Sequence, residues 1–494
     1  MGSFVERIPP VRAFRELRRD FDRVVLVLAA GDLVANFGFA LVFPFLTIYL
    51  VGSLGATAAE AGLVTALYSV CSIVSGAAGG WLADRVGRRR VMIVSVATTG
   101  VVIALMGRAV DLPQIAFLTV ILGLVDPAFV PAARAAVADV VPDERRPRAY
   151  GLLSVANAVG WIAGPAIGAG LAVLGYDVLF FVAGVLVASF AVIAYAWLPE
   201  TLVRGTRAAK GATAARGATA EPADGRGATA TAGAGRAEGG AGEVTREAVE
   251  ELPVVVGLEP PIASGPVHPA AQRPVAIGGY AAGAGPGPAP SDEAGVARRR
   301  ARAFASFLAI ALVAQGAIFL WVSVLPVHAS ADLGMTTGMW GLLFSLNGIL
   351  IVLFQLRIST AVEDRSKAHV MAAGMVLYAA AMAIVALAQD PAWAVPALAA
   401  TVTIITCGEM LFYPMEAAFV SDVSPADRRG RYQGFLLGAA GVGTALGPPI
   451  GGWVLDAAPG APLWLGTSAI FLACAGALLA LGRATRGLPA VEGA

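Results

Sequence analysis

The sequence is poor in charge, in cysteine and in histidine. Charged residues make up 14% of its 494 positions, against about 25% in soluble domains, while 57% are hydrophobic and the mean hydropathy is +0.74. This balance excludes an ordinary soluble domain and indicates a membrane protein. The three cysteines fall in separate apolar stretches without metal-ligand spacing, so we expect neither disulfides nor a metal site.

The sequence also lacks the motifs of catalysis and of nucleotide binding. It contains no phosphate-binding loop and no pairing of a nucleophile with a base, which argues against ATP-driven pumping and against enzymatic activity. Of the three histidines, His268 lies in a polar segment, His328 at the outer end of an apolar run and His369 in a loop. We therefore expect no histidine to act as a buried proton carrier and no cofactor to be bound. A proton gradient is the expected source of energy.

The apolar runs are long enough to cross a bilayer, which takes about 20 residues in a helix. Because backbone hydrogen bonds cannot stay open in lipid, spans of this length must be helical, and the fold class is an all-α membrane protein. The predicted spans form two sets of six, at 24–46, 60–83, 91–107, 114–137, 149–173, 178–198, 304–326, 339–361, 370–388, 394–422, 432–455 and 463–482.

Basic residues concentrate in alternate connections between the spans. The loops after spans 2, 4, 8 and 10 carry arginine or lysine, whereas the other short connections carry mostly acids. By the positive-inside rule, the basic loops and both termini lie in the cytoplasm. We expect the protein to reside in the cell membrane. The resulting division is a cytoplasmic arm 1–23, a bundle 24–200, a disordered cytoplasmic linker 201–302, a bundle 303–484 and a cytoplasmic tail 485–494.

The two bundles are copies of one design. An offset of 283 in the numbering aligns "PAARAAVADVVPDERRPRAYG" (131–151) with "PMEAAFVSDVSPADRRGRYQG" (414–434) without a gap. Duplicated six-helix repeats are the architecture in which a substrate site forms between the repeats and the halves rock around it. The duplication therefore indicates transport. A membrane receptor remains as an alternative, but it does not need charges inside the membrane at matching positions of both halves.

The loop "GGWLADRVGRRRVM" (79–92) resembles the signature loop of the major facilitator superfamily, and "AVEDRSKAHVM" (361–371) resembles a weaker second copy with Glu363 at the position of Asp84. The resemblance covers the chain except for its arm and linker, and it implies two six-helix repeats in the fold of that family. In the family this loop is a conformational latch, which would here consist of Gly80, Asp84, Arg85, Gly87, Arg88 and Arg89.

Span 5 carries a glycine pattern that resembles the motif of proton-coupled drug antiporters in this superfamily, with Ala169 at its last glycine position. Glycines four apart give a flat ridge for close helix packing. The expected packing residues recur in span 11, and the full set is Gly151, Gly160, Gly164, Pro165, Gly168, Gly434, Gly443, Gly447, Pro448 and Gly451. The resemblance favours an exporter over an importer, although shared packing alone would also explain a copy in each half.

Asp126 stands near the middle of span 4. The offset of 283 aligns it with Glu409, which we expect at the same depth in span 10. An ionised acid at the bilayer centre costs about 3 kcal/mol or more, and the cost disappears when the group is protonated or paired. A carboxyl group that takes up and releases protons is what a proton-coupled cycle requires. The alternative is a purely structural bond between helices. The candidates for coupling are Asp32, Asp126, Glu409 and Glu416, which we expect to line one polar cavity.

Aromatic and amide side chains on spans 1, 7 and 10 are the candidates for the substrate cavity: Asn36, Phe39, Phe43, Phe319, Trp321 and Tyr413, with Phe412 beside the last. The sequence thus predicts a proton-coupled antiporter that exports small amphipathic molecules such as drugs. The alternatives are a proton symporter that imports a sugar or metabolite, and a non-transporting receptor. Expected partners are the substrate, protons and the lipid bilayer, with no nucleic acid, and we expect a monomer.

Overall fold

The computed structural model describes residues 21–142, 145–201, 290–425 and 428–486. Within these ranges twelve helices are long and apolar enough to cross a membrane, which confirms the predicted fold class. The bounds are α1 Arg23–Leu54, α2 Ala58–Val86, α3 Arg88–Met106, α4 in two segments Leu112–Val125 and Phe129–Val140, α5 Arg146–Leu174, α6 Tyr176–Trp197, α7 in two segments Pro290–Ser323 and Leu325–Ala331, α8 Thr337–Val362, α9 Lys367–Leu387, α10 Pro391–Val423, α11 Arg429–Ala457 and α12 Ala461–Ala484.

Helix α7 begins earlier than hydropathy suggests. It starts at Pro290, so residues 290–302 are helical although the sequence predicts linker there. The stretch "GVARRRARAF" is rich in alanine and arginine, which favour helix, but its charge removes it from any apolar window. The remaining predicted arm, linker and tail, residues 1–20, 202–289 and 487–494, lie outside the described residues.

Helix α4 is interrupted at the acid that stands out in the sequence. Asp126–Ala128 form one 3-10 turn between the two segments of α4, where the sequence predicts an uninterrupted helix. Pro127 has no backbone N–H, so the regular hydrogen-bond ladder cannot continue through it. The N–H of Phe129 donates to the Asp126 carbonyl in this turn, and the hydroxyl group of Ser95 on α3 donates to the Val125 carbonyl at 2.9 Å. The interruption is therefore held from a neighbouring helix.

Four helices begin with caps that the duplication has preserved. Thr57 caps α2 and Thr336 caps α8, while Asp111 caps α4 and Asp390 caps α10, each side chain accepting a backbone N–H of the first turn. Both pairs correspond through an offset of 279 in the numbering, which differs from the 283 of the later helices. The caps of α2 and α4 are therefore related to those of α8 and α10 by a second offset.

The change of offset lies at the start of α4 and α10. Glu409 stands four positions further from its cap Asp390 than Asp126 stands from its cap Asp111. Helix α10 thus has about one additional turn before its acid. The two acids lie at equal distances from the later ends of their helices but at different distances from the caps.

The two halves contact each other along a seam that joins α2 to α11 and α5 to α8. A Cβ on Gly62 of α2 would overlap the carbonyl group of Pro448, and a Cβ on Gly341 of α8 would overlap that of Pro165. Gly62 and Gly341 correspond through the offset of 279, so the two contacts are copies of one. We call the end of the bundle where α2 and α8 begin the seam end, and the opposite end the latch end.

Further contacts close the seam end. The carboxylate of Asp456 on α11 accepts the backbone N–H groups of Ala58 and Ala59 at 2.9 and 2.8 Å. Toward the latch end, by contrast, Gly434 and Gly438 on α11 face open space. The halves are therefore in closest contact at the seam end.

Candidate functional site

Asp126 lies inside the N-terminal half, between α4, α2 and α3. The hydroxyl group of Tyr68 on α2 donates to its carboxylate at 2.9 Å. The Ser95 hydroxyl group approaches its backbone oxygen at 3.3 Å, and the Thr99 hydroxyl group faces its carboxyl group, both from α3. Nothing in the sequence singles out Tyr68, because the pairing depends on how α2 is rotated against α4.

Asp32 belongs to a second group, on α1. The amide of Asn36 donates to the backbone oxygen of Asp32 at 2.7 Å and to its carboxylate at 3.3 Å. The indole N–H of Trp161 on α5 donates in turn to Asn36 at 3.3 Å. The exposed Arg134, further along α4, acts on Asp32 by charge. Asp32 is thus tied to α5 through an amide.

Glu409 forms a third group, in the C-terminal half. The amide of Asn347 on α8 donates to its carboxylate at 2.6 Å and to the Thr406 hydroxyl group at 2.9 Å. The Trp321 indole faces the same carboxyl group from α7. All four side chains are buried, so this group is fixed by several partners at once.

Glu416, two turns further along α10, lies close to the rings of Tyr378 and Tyr413. The Tyr413 hydroxyl group donates to Gln315 on α7 at 3.1 Å. Within the described part of the chain, one carboxyl oxygen of the buried Glu416 has no hydrogen-bond partner. A buried polar atom without a partner is costly, which makes this group a candidate for binding a proton or ligand.

The sequence predicts that the acids line one polar cavity. Among the described residues, each acid has its own neighbouring side chains, in separate groups of the two halves. Two of these groups are nevertheless copies of each other. The donors Tyr68 and Asn347 correspond through the offset of 279, and the acids Asp126 and Glu409 correspond through the offset of 283. In the first half Tyr68 on α2 bonds Asp126 on α4, and in the second half Asn347 on α8 bonds Glu409 on α10.

Aromatic side chains form a continuous surface between the halves. The ring of Phe43 lies 6.0 Å from that of Phe319, and the ring of Trp161 lies 6.3 Å from that of Phe344, each pair joining one half to the other. The members of this aromatic surface are Phe39, Phe43, Tyr68, Trp161, Phe319, Trp321 and Phe344. Of the predicted aromatics, Phe412 lies elsewhere, fully buried against α9.

A small apolar cavity of about 20 Å³ adjoins this surface within the N-terminal half. Its lining includes Phe39 and Phe43 of α1, Tyr68 of α2, and Thr119 and Leu122 of α4. Its volume is enough for about one water-sized group. The ring of Tyr68 therefore borders a small empty space.

The latch residues hold helices together within each half. Arg88, at the start of α3, forms an ion pair with Asp139 and donates to the Ala135 carbonyl, both on α4. Lys367, which matches Arg88 through the offset of 279, forms the same ion pair with Asp422 and reaches the Ala418 carbonyl. The weaker second loop thus keeps a cation at the position of Arg88 in the signature motif.

The other latch residues make local contacts. Asp84 lies 3.6 Å from Arg88, Arg85 stacks on Trp81 at 4.0 Å, and Arg89 donates to the Tyr195 carbonyl of α6. Gly87 has a φ of 115°, a conformation that favours glycine. A Cβ on Gly79 would lie 2.7 Å from the Ala128 backbone, whereas one on Gly80 would make ordinary contact with Pro131 at 3.9 Å.

The glycine ridges pack each half internally. Gly160, Gly164 and Gly168 press α5 against α1, and the corresponding glycines Gly443, Gly447 and Gly451 press α11 against α7. Gly151 and Gly434, which the sequence motif includes, face open space among the described residues. Pro165 and Pro448 contribute their carbonyl groups to the seam instead.

His328 lies at the end of α7, where the sequence predicts it, but it is not exposed there. It is fully buried at the end of α7, with Nδ1 2.6 Å from the Asp332 carboxylate and its ring 5.5 Å from that of Trp464. The short second segment of α7 folds it inward, which an outer position in the sequence does not suggest. It lies at the seam end, away from the acids of the span centres.

Two duplicated six-helix bundles, joined at a seam and holding acids inside their spans, define a secondary transporter. The profile of the Major Facilitator Superfamily matches residues 28–397 and 306–492. The chain belongs to this superfamily and is a multi-pass membrane protein.

Similar proteins are transporters as well. The chain is 23% identical over 444 residues to the uncharacterized MFS-type transporter YttB of Bacillus subtilis (strain 168), covering 88% of this chain and 89% of the relative. It is 35% identical over 178 residues to the multidrug resistance protein MdtG of Serratia proteamaculans (strain 568), covering 35% of this chain and 43% of the relative.

Solved structures share the fold at lower identity. The nucleoside transporter NupG superposes with a TM-score of 0.62 at 14% identity, covering 93% of this chain and 98% of its own. The peptide transporter POT in complex with sulfate superposes with a TM-score of 0.65 at 15% identity, covering 93% and 95%. At these identities the likeness shows the fold alone.

Proposed function

We propose that the protein is a proton-coupled antiporter that exports small amphipathic molecules across the cell membrane. Its latch end faces the cytoplasm, because the loops at that end carry the arginines. In this orientation the closed seam faces outward, and Gly434 and Gly438 face open space toward the cytoplasmic side. A substrate would enter from the cytoplasm.

The observation that carries the proposal is the surroundings of the buried acids. Within the described spans, the side chains that bond Asp126 and Glu409 are neutral: a phenol for the first, an amide and an indole for the second. A buried carboxylate without a cationic partner costs several kcal/mol. A proton removes that cost, and so does a cationic ligand. One acid can therefore hold either of them, which is the exchange an antiporter performs.

The aromatic surface supports an amphipathic substrate. Its rings lie between the halves, with Phe39 and Phe43 partly exposed and the others buried, and cations bind well over such rings. A sugar would need more amide and hydroxyl partners than this surface provides. The partial similarity to a multidrug resistance protein points in the same direction.

The cycle follows from these contacts. A substrate that enters from the latch end contacts the aromatic surface and a proton leaves an acid. The seam then opens and the latch end closes as the halves rock. The substrate leaves and protons from outside return to the acids.

The test uses purified protein in proteoliposomes with ethidium, an aromatic cation, as the probe. An imposed pH gradient should drive ethidium against its own gradient, and Asp126→Asn should abolish this while leaving a folded protein. Asp177→Asn, at an acid in the first turn of α6, should transport normally. Proton-driven uptake in the reverse direction would indicate the importer, and absence of any flux would favour a receptor.

A further inference from the structure

We propose that Tyr68 is the positioning residue through which contact at the aromatic surface controls whether Asp126 holds a proton. The proposal rests on the proton-coupled function above and assigns a role that the motifs of the sequence do not suggest.

Tyr68 connects two places that are otherwise separate. Its hydroxyl group donates to Asp126 at 2.9 Å, and its ring lies 5.6 Å from the ring of Phe39 and 6.5 Å from that of Phe43. Within the described spans, this phenol is what joins the Asp126 carboxyl group to the aromatic surface. A ligand that stacks on Phe39 and Phe43 therefore reaches Asp126 through Tyr68.

The position of the ring is sensitive to what packs on it. Tyr68 lines the small cavity together with Phe39 and Phe43, so its ring has room to tilt away from Asp126 while this space is empty. Contact on the Phe39 side holds it in place. The hydroxyl group then stays aimed at the carboxylate and stabilises its ionised form. Ligand contact should thus release the proton, as antiport requires.

The second half provides an internal comparison. Asn347, at the position that corresponds to Tyr68, is 2% exposed and is fixed by bonds to both Glu409 and Thr406. An asparagine carries no ring that a ligand could contact. The hydrogen bond is therefore kept in both halves, but only in the first half does its donor carry a ring that packs in the aromatic surface.

The groups that face Asp126 come from two helices. Tyr68 faces it from α2, and the hydroxyl groups of Ser95 and Thr99 face it from α3. Arg134 lies two turns further along α4 and its charge acts on Asp32. Tyr68 is thus the donor among these whose position depends on the aromatic surface.

The experiment is an infrared titration of the purified protein in lipid, without ligand. The band of the protonated Asp126 carboxyl group is identified by its loss in Asp126→Asn. In Tyr68→Phe the midpoint of this band should move to higher pH by about one unit, a tenfold change in proton affinity. Tyr49→Phe is the matched control, since the Tyr49 hydroxyl group bonds the Ala109 carbonyl at 3.3 Å instead.

A second pair of variants tests the contact itself. Phe39→Ala removes the ring that packs on Tyr68 and should move the midpoint in the same direction, but should add nothing in the Tyr68→Phe background. Phe319→Ala, in the same surface but in contact with Phe43, should leave the midpoint unchanged. An unshifted Tyr68→Phe, or a Phe39→Ala effect that persists without the hydroxyl group, would overturn the proposal. Either result leaves the transport test untouched, because the titration measures no flux.

Discussion

Asp456 and Ala58 tie the two halves together at the seam end, with the Asp456 carboxylate 2.9 Å from the Ala58 backbone nitrogen. Ala58 is the first residue of α2, where the helix dipole places partial positive charge. The contact is therefore a helix cap supplied by the opposite half. It exists only while the seam is closed, so it stabilises this conformation over the one open to the outside.

Asp456→Asn should raise the population with an open seam by about fivefold, because a charge at a helix N-terminus contributes about 1 kcal/mol. Pulsed electron paramagnetic resonance between spin labels at the exposed Val110 and Leu387, in a cysteine-free background, measures the opening. Asp390→Asn is the control, since Asp390 caps its own helix. Equal distance distributions for both variants would show that the cap does not hold the seam.

Gly62→Val and Gly341→Val should each favour the open seam more strongly than the loss of the cap does. A side chain at either position meets a backbone carbonyl group of the opposite half, which cannot rotate away. The same spin labels report the effect. Gly466→Val, where a side chain has open space on α12, should change nothing. A closed seam in the Gly62→Val variant would contradict the packing described here.

Gly164→Leu and Gly447→Leu should lower stability within each half by about 1–3 kcal/mol or more, as expected of overpacking. Both glycines contact the backbone of the helix against which they pack, α1 in one half and α7 in the other. Thermal unfolding in detergent, followed by fluorescence, measures the loss. Gly151→Leu and Gly434→Leu serve as matched controls and should unfold near the wild-type temperature, although the motif includes both.

The ion pairs at the latch end should differ in strength. A double-mutant cycle with Arg88→Met and Asp139→Asn should give a larger coupling energy than one with Lys367→Met and Asp422→Asn. The Arg88 side chain is 13% exposed and that of Lys367 is 30%, and exposed pairs contribute about 1 kcal/mol or less. High salt should weaken the Lys367 pair further. Equal coupling energies in the two cycles would show that burial does not separate them.

Much of the fold could be predicted because the bilayer imposes a length and an apolar composition on every span. The start of α7 could not, since a charged helix outside the lipid leaves no apolar signal. The offset of 283 aligns the later helices of the two halves but does not align α2 with α8. The second offset of 279 is implied by the alignment of Glu363 with Asp84, and carried further it matches Lys367 to Arg88 and Gly341 to Gly62.

The candidate acids were visible as charges in apolar runs, but their partners were not. Tyr68 is one aromatic residue among many in the spans, and its bond to Asp126 depends on the relative rotation of α2 and α4. The burial of His328 depends in the same way on the short second segment of α7. Side-chain pairing between helices is a property of the packed bundle, which local sequence does not encode.

Measured from the caps at the seam end, Glu409 lies one helical turn further along its helix than Asp126. One turn is about 5 Å long, which is roughly one fifth of the hydrocarbon core. With the two caps at equal depth in the bilayer, a proton arriving from the seam end would cross less of the membrane potential to reach Asp126 than to reach Glu409. At about 2.3 kcal/mol per charge for each 100 mV, the difference would be about 0.5 kcal/mol. A steeper voltage dependence of proton binding to Glu409 from that side would show that the additional turn moves this acid deeper into the field.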